Sequence, residues 1–255
     1  MAHQDAVRRF SAIISAGGQA GDDLASLLGV REKCAAMYGG RSLAFLAAEA
    51  ATGAGAEQVV VVCGDEVRGT LSGFNGLLAL PGKNPVESAR NGLDQLETVG
   101  DIVFLPGDLP LIRPQHVSDF AAALPHAEGD WLATGVASER DVIEMFGPAA
   151  EVGYVKLDQQ RFAAASLSAA SRGGFERALA TLSQLSESRK SQLGMALRFG
   201  LADVVRFLLG RMTTDRAQRA GMRLFGSKSF VIKGCAPELV MDVDSAADWQ
   251  SLPPT

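Results

Sequence analysis

Two apolar runs without polar alternation constrain the fold of this chain more than any other feature. Val59–Val62 is four consecutive valines, and Asp101–Leu105 is apolar after its first residue. A strand with one face in water alternates apolar and polar side chains, whereas a parallel strand covered on both faces by helices does not. The two runs therefore predict buried parallel strands within an α/β sheet.

Strand signals and helix signals alternate along most of the chain. Further strands are predicted at Phe10–Ala16, Trp131–Val136, Tyr154–Leu157 and Ser229–Lys233, and helices at Gly39–Ala51, after Pro85 and at Pro114–Leu124. Such alternation is typical of an open, mostly parallel sheet with helices on both faces. We expect residues 1–255 to form a single domain of this α/β class.

The region 175–226 differs from the rest of the chain in composition. Leucines and valines recur at helical spacing between Leu193 and Leu209, with arginines among them. The pattern predicts a helical insertion or subdomain packed on the sheet. A homodimer contact and a weak contact with a membrane surface are the alternatives for the same helices.

Charge and cysteine content exclude several classes of protein. With 24 Lys and Arg against 29 Asp and Glu, the formal net charge is −5, which argues against a general nucleic-acid-binding role. Cys34, Cys63 and Cys235 form no CxxC pair, so neither a disulfide framework nor a zinc site is expected. No uninterrupted apolar stretch reaches the roughly 18 residues of a transmembrane helix, and a cytoplasmic location is expected.

A glycine turn follows the first predicted strand, in the order Ser15-Ala16-Gly17-Gly18. Glycines at this place allow a tight turn and bring backbone N–H groups close to a phosphate. Lys33 lies downstream, where its ammonium group would neutralise a triphosphate. Taken alone, the turn matches neither a P-loop nor a dinucleotide fingerprint, and a lone lysine is more often a solvated surface residue.

Three aspartates are candidate metal ligands. Asp108 follows the strand Asp101–Leu105 at its C-terminal end, where ligands bind in open α/β sheets. Asp242 and Asp244 are two residues apart, so they share one face of an extended segment. Mg²⁺ takes one or two carboxylates together with substrate phosphate oxygens, which predicts a site made by Asp108 and one of this pair. Turn capping by Asp108 and helix N-capping by Asp244 are the structural alternatives.

These elements, in this order, resemble the MobA-like nucleotidyltransferases, which have the GT-A type sheet of the nucleotide-diphospho-sugar transferases. The first motif of that family corresponds to Ile13–Gly18 with the downstream Lys33. The metal motif corresponds to Gly107–Ile112 and the closing acidic motif to Asp242–Asp248. The resemblance extends over nearly the whole chain and is weakest over residues 137–225.

The resemblance implies an enzyme that moves a nucleoside monophosphate from an NTP to a small phosphorylated acceptor, with release of pyrophosphate. It also implies a requirement for Mg²⁺. Lys33, Asp108 and Asp244 would be the catalytic residues, and Asp108 and Asp244 would hold the metal ion.

The resemblance also assigns nucleotide-binding residues. Ala16, Gly17 and Gly18 would hold the phosphates of the nucleotide, in contact with Lys33. Ser88 and Gly92 lie in the segment that would meet the base and ribose, although an ordinary helix start after Pro85 would account for that segment equally.

Two positions depart from the family pattern. The stretch Gln19–Asp23 holds two acids and no arginine after the glycine turn, and Glu32 precedes Lys33 where a proline is usual. These departures keep open a catalytically inactive nucleotide-binding or scaffold protein of the same fold. A GT-A type glycosyltransferase is a further alternative, disfavoured because Gly107-Asp108-Leu109-Pro110 stands where such enzymes carry Asp-x-Asp.

Overall fold

The computed structural model describes residues 9–97, 100–148, 152–187, 203, 206–207 and 209–254. Its strands are β1 Phe10–Ser15, β2 Met37–Tyr38, β3 Arg41–Ser42, β4 Val59–Val62, β5 Leu77–Ala79, β6 Asp101–Pro106, β7 Trp131–Ser138, β8 Tyr154–Leu157, β9 Gln160–Ala170 and β10 Lys228–Lys233. Its helices are α1 Asp22–Leu28, α2 Leu43–Gly53, α3 Asp65–Thr70, α4 Pro85–Leu93, α5 Pro114–Ala122, α6 Glu139–Phe146, α7 Arg172–Glu187, α8 Thr214–Phe225 and α9 Ala246–Gln250. Short 3₁₀ turns occur at Lys33–Ala35 and Pro237–Val240.

Within the described ranges, eight strands form one mixed sheet in the order β10-β7-β9-β6-β1-β4-β5, with β8 paired to β9. The β1 strand lies between β4 and β6 and is parallel to both. The β4–β5 and β7–β10 pairs are also parallel, whereas β9 runs antiparallel to β6, β7 and β8. Because β1, β4 and β6 are parallel, the segments after them meet at one edge of the sheet.

The four valines of β4 confirm that the sheet is covered on both faces. Val59 and Val61 belong to one apolar core, together with side chains of α2 and α5. Val60 and Val62 belong to a second core on the opposite face, with side chains of α4 and α7. The mostly parallel α/β sheet with helices on both faces is therefore the fold predicted from the apolar runs.

The long strand β9 was not among the predicted elements. Its central residues are three alanines, Ala163–Ala165, a residue type that is depleted in strands and favours helices. The strand forms because its backbone pairs with β6 and β7, as Val103 with Ala169 and Ala137 with Ala163. Long-range pairing of this kind cannot be read from local composition.

The C-terminal region is helical where it is described, in α7 and α8. The Gln218 side chain of α8 accepts a hydrogen bond from the backbone N–H of Val231, which holds α8 beside β10. Most of the predicted apolar helical pattern lies outside the described residues. Between residues 193 and 208, the structure describes only 203, 206 and 207. A homodimer or membrane contact made by 175–226 stays a prediction. In the described ranges, none of the helices is both long enough and apolar enough to cross a bilayer.

Candidate active site

The glycine turn after β1 is held at the edge of the sheet by backbone hydrogen bonds. The N–H of Ala16 donates to the carbonyl of Val62, at the end of β4, over 2.9 Å. A Cβ atom on Gly17 would lie only 2.8 Å from the Cβ of Pro81, so close approach of the next loop requires glycine there. Gly18 is exposed, and its carbonyl accepts from the N–H of Lys33 over 3.0 Å. The turn and the lysine are thus one connected unit.

Lys33 lies between two carboxylates from distant parts of the chain. Its ammonium group is 2.5 Å from Oδ2 of Asp108 and also donates to Oδ1 of Asp244. Burial acts to lower the pKa of Lys33, but the charges of Asp108 and Asp244 outweigh that effect and raise it above its ordinary value. Lys33 is therefore a fixed positive charge beside the glycine turn.

Asp108 follows β6 through Gly107, whose N–H donates to the carbonyl of Ser15 over 2.8 Å. This bond continues the β1–β6 ladder past the end of the strand and brings Asp108 beside the glycine turn. The Asp108 residue is only 8% exposed. Its Oδ2 meets Lys33, whereas Oδ1 is buried with no hydrogen-bond partner in the described part of the chain. A buried carboxylate oxygen without a partner is costly, so Oδ1 marks a place for a ligand.

The acidic segment before α9 is fixed to the Asp108 loop. The N–H of Val243 donates to the backbone carbonyl of Asp108 over 3.1 Å, and the Val243 side chain is fully buried. Asp242 and Asp244 therefore lie on the opposite, exposed side of the segment. Partial loss of hydration and the charges of Asp108 and Asp244 raise the pKa of Asp242. The carboxylates of Asp108 and Asp244 thus converge on the ammonium group of Lys33 at this edge of the sheet.

A capping box fixes the position of Asp244. Oδ2 of Asp248 accepts from the backbone N–H groups of Asp244 and Ser245, over 3.0 and 2.7 Å, and the Ser245 hydroxyl caps α9 in return. The N-cap of α9 is Ser245, so the side chain of Asp244 is left for Lys33. The structure brings Lys33, Asp108 and Asp244 together, and their catalytic and metal-binding roles stay predictions.

The two acids after the glycine turn do not face Lys33. Oδ2 of Asp23 accepts from the N–H of Ala246, in the first turn of α9, over 2.9 Å. Backbone hydrogen bonds from Ala246 and Leu24 lower the pKa of Asp23. Asp22 is an exposed residue in the first turn of α1. The acid at position 23 thus connects the segment after the glycine turn to the last helix.

Glu32, which stands where a proline is usual, forms a pair with Glu66 in which each carboxylate accepts hydrogen bonds from backbone N–H groups of the other residue's segment. Oε2 of Glu66 accepts from the N–H groups of Arg31 and Glu32, over 2.9 and 2.6 Å. Oε2 of Glu32 accepts from the N–H of Val67 over 2.9 Å, in the first turn of α3. The pair fastens the segment that carries Lys33 to α3. Sequence reasoning missed this pair, because nothing in the spacing of the two glutamates indicates that they meet.

Ser88 and Gly92 both lie in α4. The hydroxyl of Ser88 accepts from the N–H of Gly82 over 2.9 Å and so shapes the loop after β5. Gly92 is buried, and a Cβ there would lie 2.7 Å from Cγ2 of Ile13 and 2.8 Å from Cγ2 of Val62. Close packing of α4 on the sheet accounts for glycine at position 92, while contact of either residue with a base or ribose stays a prediction.

The residues at the charge convergence fit a divalent cation. Carboxylate oxygens are the ligands that Mg²⁺ and Mn²⁺ prefer, and Asp108 Oδ1 and the exposed Asp244 carboxylate supply them. Among the described residues, no cluster of three His, Cys, Asp or Glu side chains is close enough to form a complete metal site. Mg²⁺ commonly takes one or two protein carboxylates and completes its coordination with substrate oxygens and water.

Comparison with known proteins finds solved structures that are similar to this chain and a family whose profile matches it. Among solved structures, the chain is similar to a hypothetical transferase from Thermus thermophilus, with 26% identity, a TM-score of 0.80 and coverage of 94% of this chain and 99% of that one. Its fold is also similar to CMP:2-keto-3-deoxy-manno-octonic acid synthetase complexed with CTP, with 17% identity, a TM-score of 0.60 and 95% coverage of both chains.

Rv0371c of Mycobacterium tuberculosis H37Rv, in complex with manganese, has the same fold at 14% identity, with a TM-score of 0.52 and coverage of 95% of this chain and 96% of that one. A comparison with curated protein sequences gives no significant match. A family profile described as the MobA-like NTP transferase domain matches residues 12–191. Since that match covers most of the chain, the protein belongs to the MobA-like NTP transferase family.

Proposed function

We propose that this protein is a nucleotidyltransferase that moves a nucleoside monophosphate from an NTP to a small-molecule acceptor and releases pyrophosphate. The observation that carries the proposal is the position of Lys33, fixed between Asp108 and Asp244 and bonded through its backbone to Gly18. Transfer of this kind requires positioning and neutralisation of charge more than covalent help from the protein. The sequence predicts a phosphorylated acceptor.

The glycine turn supplies donors for the phosphates. Within the described ranges, the N–H groups of Gly17 and Gly18 have no backbone acceptor, and they lie at the carboxyl end of β1. Backbone amides at such a turn bind phosphate oxygens without a side chain between them. The absence of an arginine after the turn leaves these amides and Lys33 as the groups that would meet the triphosphate.

Lys33 would stabilise the negative charge that develops on the leaving pyrophosphate. Its ammonium group keeps its proton, because Asp108 and Asp244 raise its pKa, and it is held by two partners rather than moving freely. A preoriented charge costs little reorganisation when the reaction proceeds. A divalent ion held by Asp108 and Asp244 would supply further neutralisation of the phosphate oxygens.

The test is a pyrophosphate-release assay with each of the four common NTPs, with and without Mg²⁺ or Mn²⁺. The acceptors come from a small-molecule extract of cells that contain the protein. We expect extract-stimulated release of pyrophosphate that depends on the divalent ion. In a parallel reaction with nucleotide-sugars and no NTP, release of a nucleoside diphosphate would support the glycosyltransferase alternative. NTP binding without any pyrophosphate would support a nucleotide-binding protein that is not an enzyme.

A further inference from the structure

The contact between Asp23 and α9 closes a ring of contacts around the candidate site. Lys33 donates its backbone N–H to the carbonyl of Gly18 over 3.0 Å, and its ammonium group donates to Asp244. From Gly18 the chain leads to Asp23, whose Oδ2 accepts from the N–H of Ala246 over 2.9 Å. Ala246 lies two residues after Asp244, so the path returns to Lys33. This contact ring joins the glycine turn to one of the two predicted metal ligands.

Asp244 lies on a short segment that local structure alone holds weakly. The helix that follows, α9, is only five residues long, and helices of this length are unstable unless other parts of the protein hold them. The carboxylate of Asp244 is 71% exposed, so little packing restrains it. Its position therefore depends on the contacts that fasten the backbone around it.

Two carboxylates satisfy three consecutive backbone N–H groups at the start of α9. Asp248, which belongs to α9, accepts from Asp244 and Ser245. Asp23, which belongs to α1, accepts from Ala246. Asp248 keeps the local shape of the segment, but it cannot fix where the segment lies, because it is part of it. Asp23 supplies a restraint from outside.

Apolar packing makes the same connection between α1 and α9. Leu24, next to Asp23, is buried in one cluster with Val243, and Trp249 of α9 packs against that cluster. Apolar contacts are not directional, so they bring the elements together without fixing their exact alignment. Hydrogen bonds add the direction, one from Val243 to the backbone carbonyl of Asp108 and the other to Asp23.

We propose that Asp23 is a positioning residue, which fixes the carboxylate of Asp244 relative to the glycine turn and to Asp108. The proposal rests on the nucleotidyltransferase function, in which Asp108 and Asp244 would hold a divalent ion. Asp23 acts through Ala246 and not by contact with substrate. Loss of its bond opens the contact ring and loosens Asp244, so an ion that needs both carboxylates at once binds more weakly. The proposal gives a function to one of the two acids that depart from the family pattern.

Amide hydrogen exchange, measured by NMR on the full chain, tests the positioning without any turnover. In Asp23→Ala, the amide of Ala246 loses its acceptor and exchanges faster whatever the role of Asp23 is. Positioning predicts more, namely exchange that is also roughly fivefold faster at Asp244 and Ser245, although their own acceptor is untouched. Asp22→Ala removes the same charge from the neighbouring exposed residue, and it is expected to leave all three amides unchanged. Faster exchange at Ala246 alone overturns the proposal.

The dependence of pyrophosphate release on Mg²⁺ is the second measurement. In Asp23→Ala, the Mg²⁺ concentration that gives half of the maximal rate is expected to rise roughly fivefold, while the rate at saturating Mg²⁺ stays within about twofold of wild type. Asp23→Asn keeps an acceptor oxygen without the charge and is expected to restore most of the wild-type Mg²⁺ dependence. Asp22→Ala is expected to titrate as wild type. A change in the free energy of unfolding alone, with a wild-type Mg²⁺ titration, would make Asp23 a structural residue and overturn the proposal.

A proline at position 246 removes the same hydrogen bond from the other side. This position is the first residue of α9, where proline is tolerated, and Ser245 before it has an extended backbone (φ −137°, ψ 167°) that is compatible with a following proline. If Asp23 acts only through this N–H, Ala246→Pro reproduces the defects of Asp23→Ala, and the double variant is no worse than either single one. Defects that multiply in the double variant would contradict the proposed route.

The failure of this proposal and the failure of the proposed function are distinguishable. If the wild-type chain releases no pyrophosphate with any NTP, the function is contradicted, while the exchange rates at Asp244 and Ser245 still report whether Asp23 holds the segment. If the wild-type chain releases pyrophosphate with a Mg²⁺ dependence that Asp23→Ala leaves unchanged, only the positioning role is contradicted.

Discussion

Lys33 and Asp244 are 211 residues apart in the sequence, and the ammonium group of the first donates a hydrogen bond to the carboxylate of the second. Asp108 meets the same ammonium group from the other side. The arrangement depends on three separate loops, after β1, after β6 and after β10, that the parallel strands bring to one edge of the sheet. Each loop can be tested separately.

Replacement of Lys33 by Met is expected to lower pyrophosphate release by roughly 10²-fold or more, since a fixed charge at the leaving group is lost. It also leaves the buried Asp108 carboxylate without its cation, which costs roughly 3 kcal/mol in the free energy of unfolding. The double variant Lys33→Met with Asp108→Asn is expected to recover most of that stability and none of the activity. Urea unfolding and the pyrophosphate assay measure the two effects. The exposed Lys83→Met is the control, and equal stability of the single and double variants would contradict the ion pair.

Asp108→Asn and Asp244→Asn are each expected to lower the rate by roughly 10²-fold, and to raise the Mg²⁺ concentration needed for half of the maximal rate. Because Ser245 rather than Asp244 caps α9, Asp244→Asn leaves the free energy of unfolding within about 0.5 kcal/mol of wild type. Titration of the rate with Mg²⁺ and Mn²⁺ measures the change. Asp119→Asn, an exposed residue of α5, serves for comparison. A wild-type metal titration in Asp244→Asn would remove Asp244 from the metal site.

Glu66→Ala removes the acceptor of two backbone N–H groups next to Lys33. We expect a loss of about 1–3 kcal/mol in the free energy of unfolding and faster amide exchange at Arg31 and Glu32. Glu66→Gln keeps an acceptor oxygen and is expected to recover most of the protection. Amide hydrogen exchange and urea unfolding report both, with Asp65→Ala as the neighbouring control. Wild-type exchange in Glu66→Ala would show that the pair does not hold the Lys33 segment.

Gly92→Ala separates packing from nucleotide binding. The added methyl group would contact Ile13 and Val62, and we expect a loss of about 1–3 kcal/mol in the free energy of unfolding. If packing is the reason for glycine, the KM for the NTP stays near its wild-type value in the folded enzyme. Gly69→Ala is the matched control, because nothing lies within 4 Å of its Cβ position in α3. A raised KM with unchanged stability would instead support the predicted contact with the base or ribose.

The stability of the β8–β9 hairpin is expected to depend on pH through Asp158. Hydrogen bonds from Thr214 and Lys233 lower the pKa of Asp158 to about 2, below the value of about 3.9 in an unfolded chain. A lowered carboxyl pKa stabilises the fold above about pH 4, and that contribution disappears as the pH falls toward 2.

Asp158→Asn should therefore be less stable than wild type at pH 7, with a difference that shrinks between pH 4 and pH 2. Urea unfolding at several pH values measures it, and Asp141→Asn provides a second carboxylate with a lowered pKa for comparison. A difference that stays constant over this pH range would mean that the Asp158 charge does not contribute.

Two features could be predicted from the sequence, namely the sheet and the approach of Asp108 to the closing motif. Each depends on a residue pattern that is typical of buried parallel strands or of the loops that follow them. Val59–Val62 requires two covered faces, and Asp108 follows a strand whose carboxyl end faces ligands. β9 could not be predicted, because its alanines form a strand only through their partners in β6 and β7. The pair of Glu32 and Glu66 likewise depends on the path of the backbone. So does the contact of Asp23 with the start of α9, because nothing in the sequence indicates that these two segments meet.

The position of Asp244 after the last strand has a consequence for how the protein is made. Ribosomes release the glycine turn, Lys33 and Asp108 long before the segment Asp242–Asp248. A nascent chain that ends just after β10 already contains every strand of the described sheet, but it lacks one of the two carboxylates that hold Lys33. Such a chain would have the glycine turn, Lys33 and Asp108 but not the second predicted metal ligand, so the proposed transfer would begin only once translation has passed the closing motif.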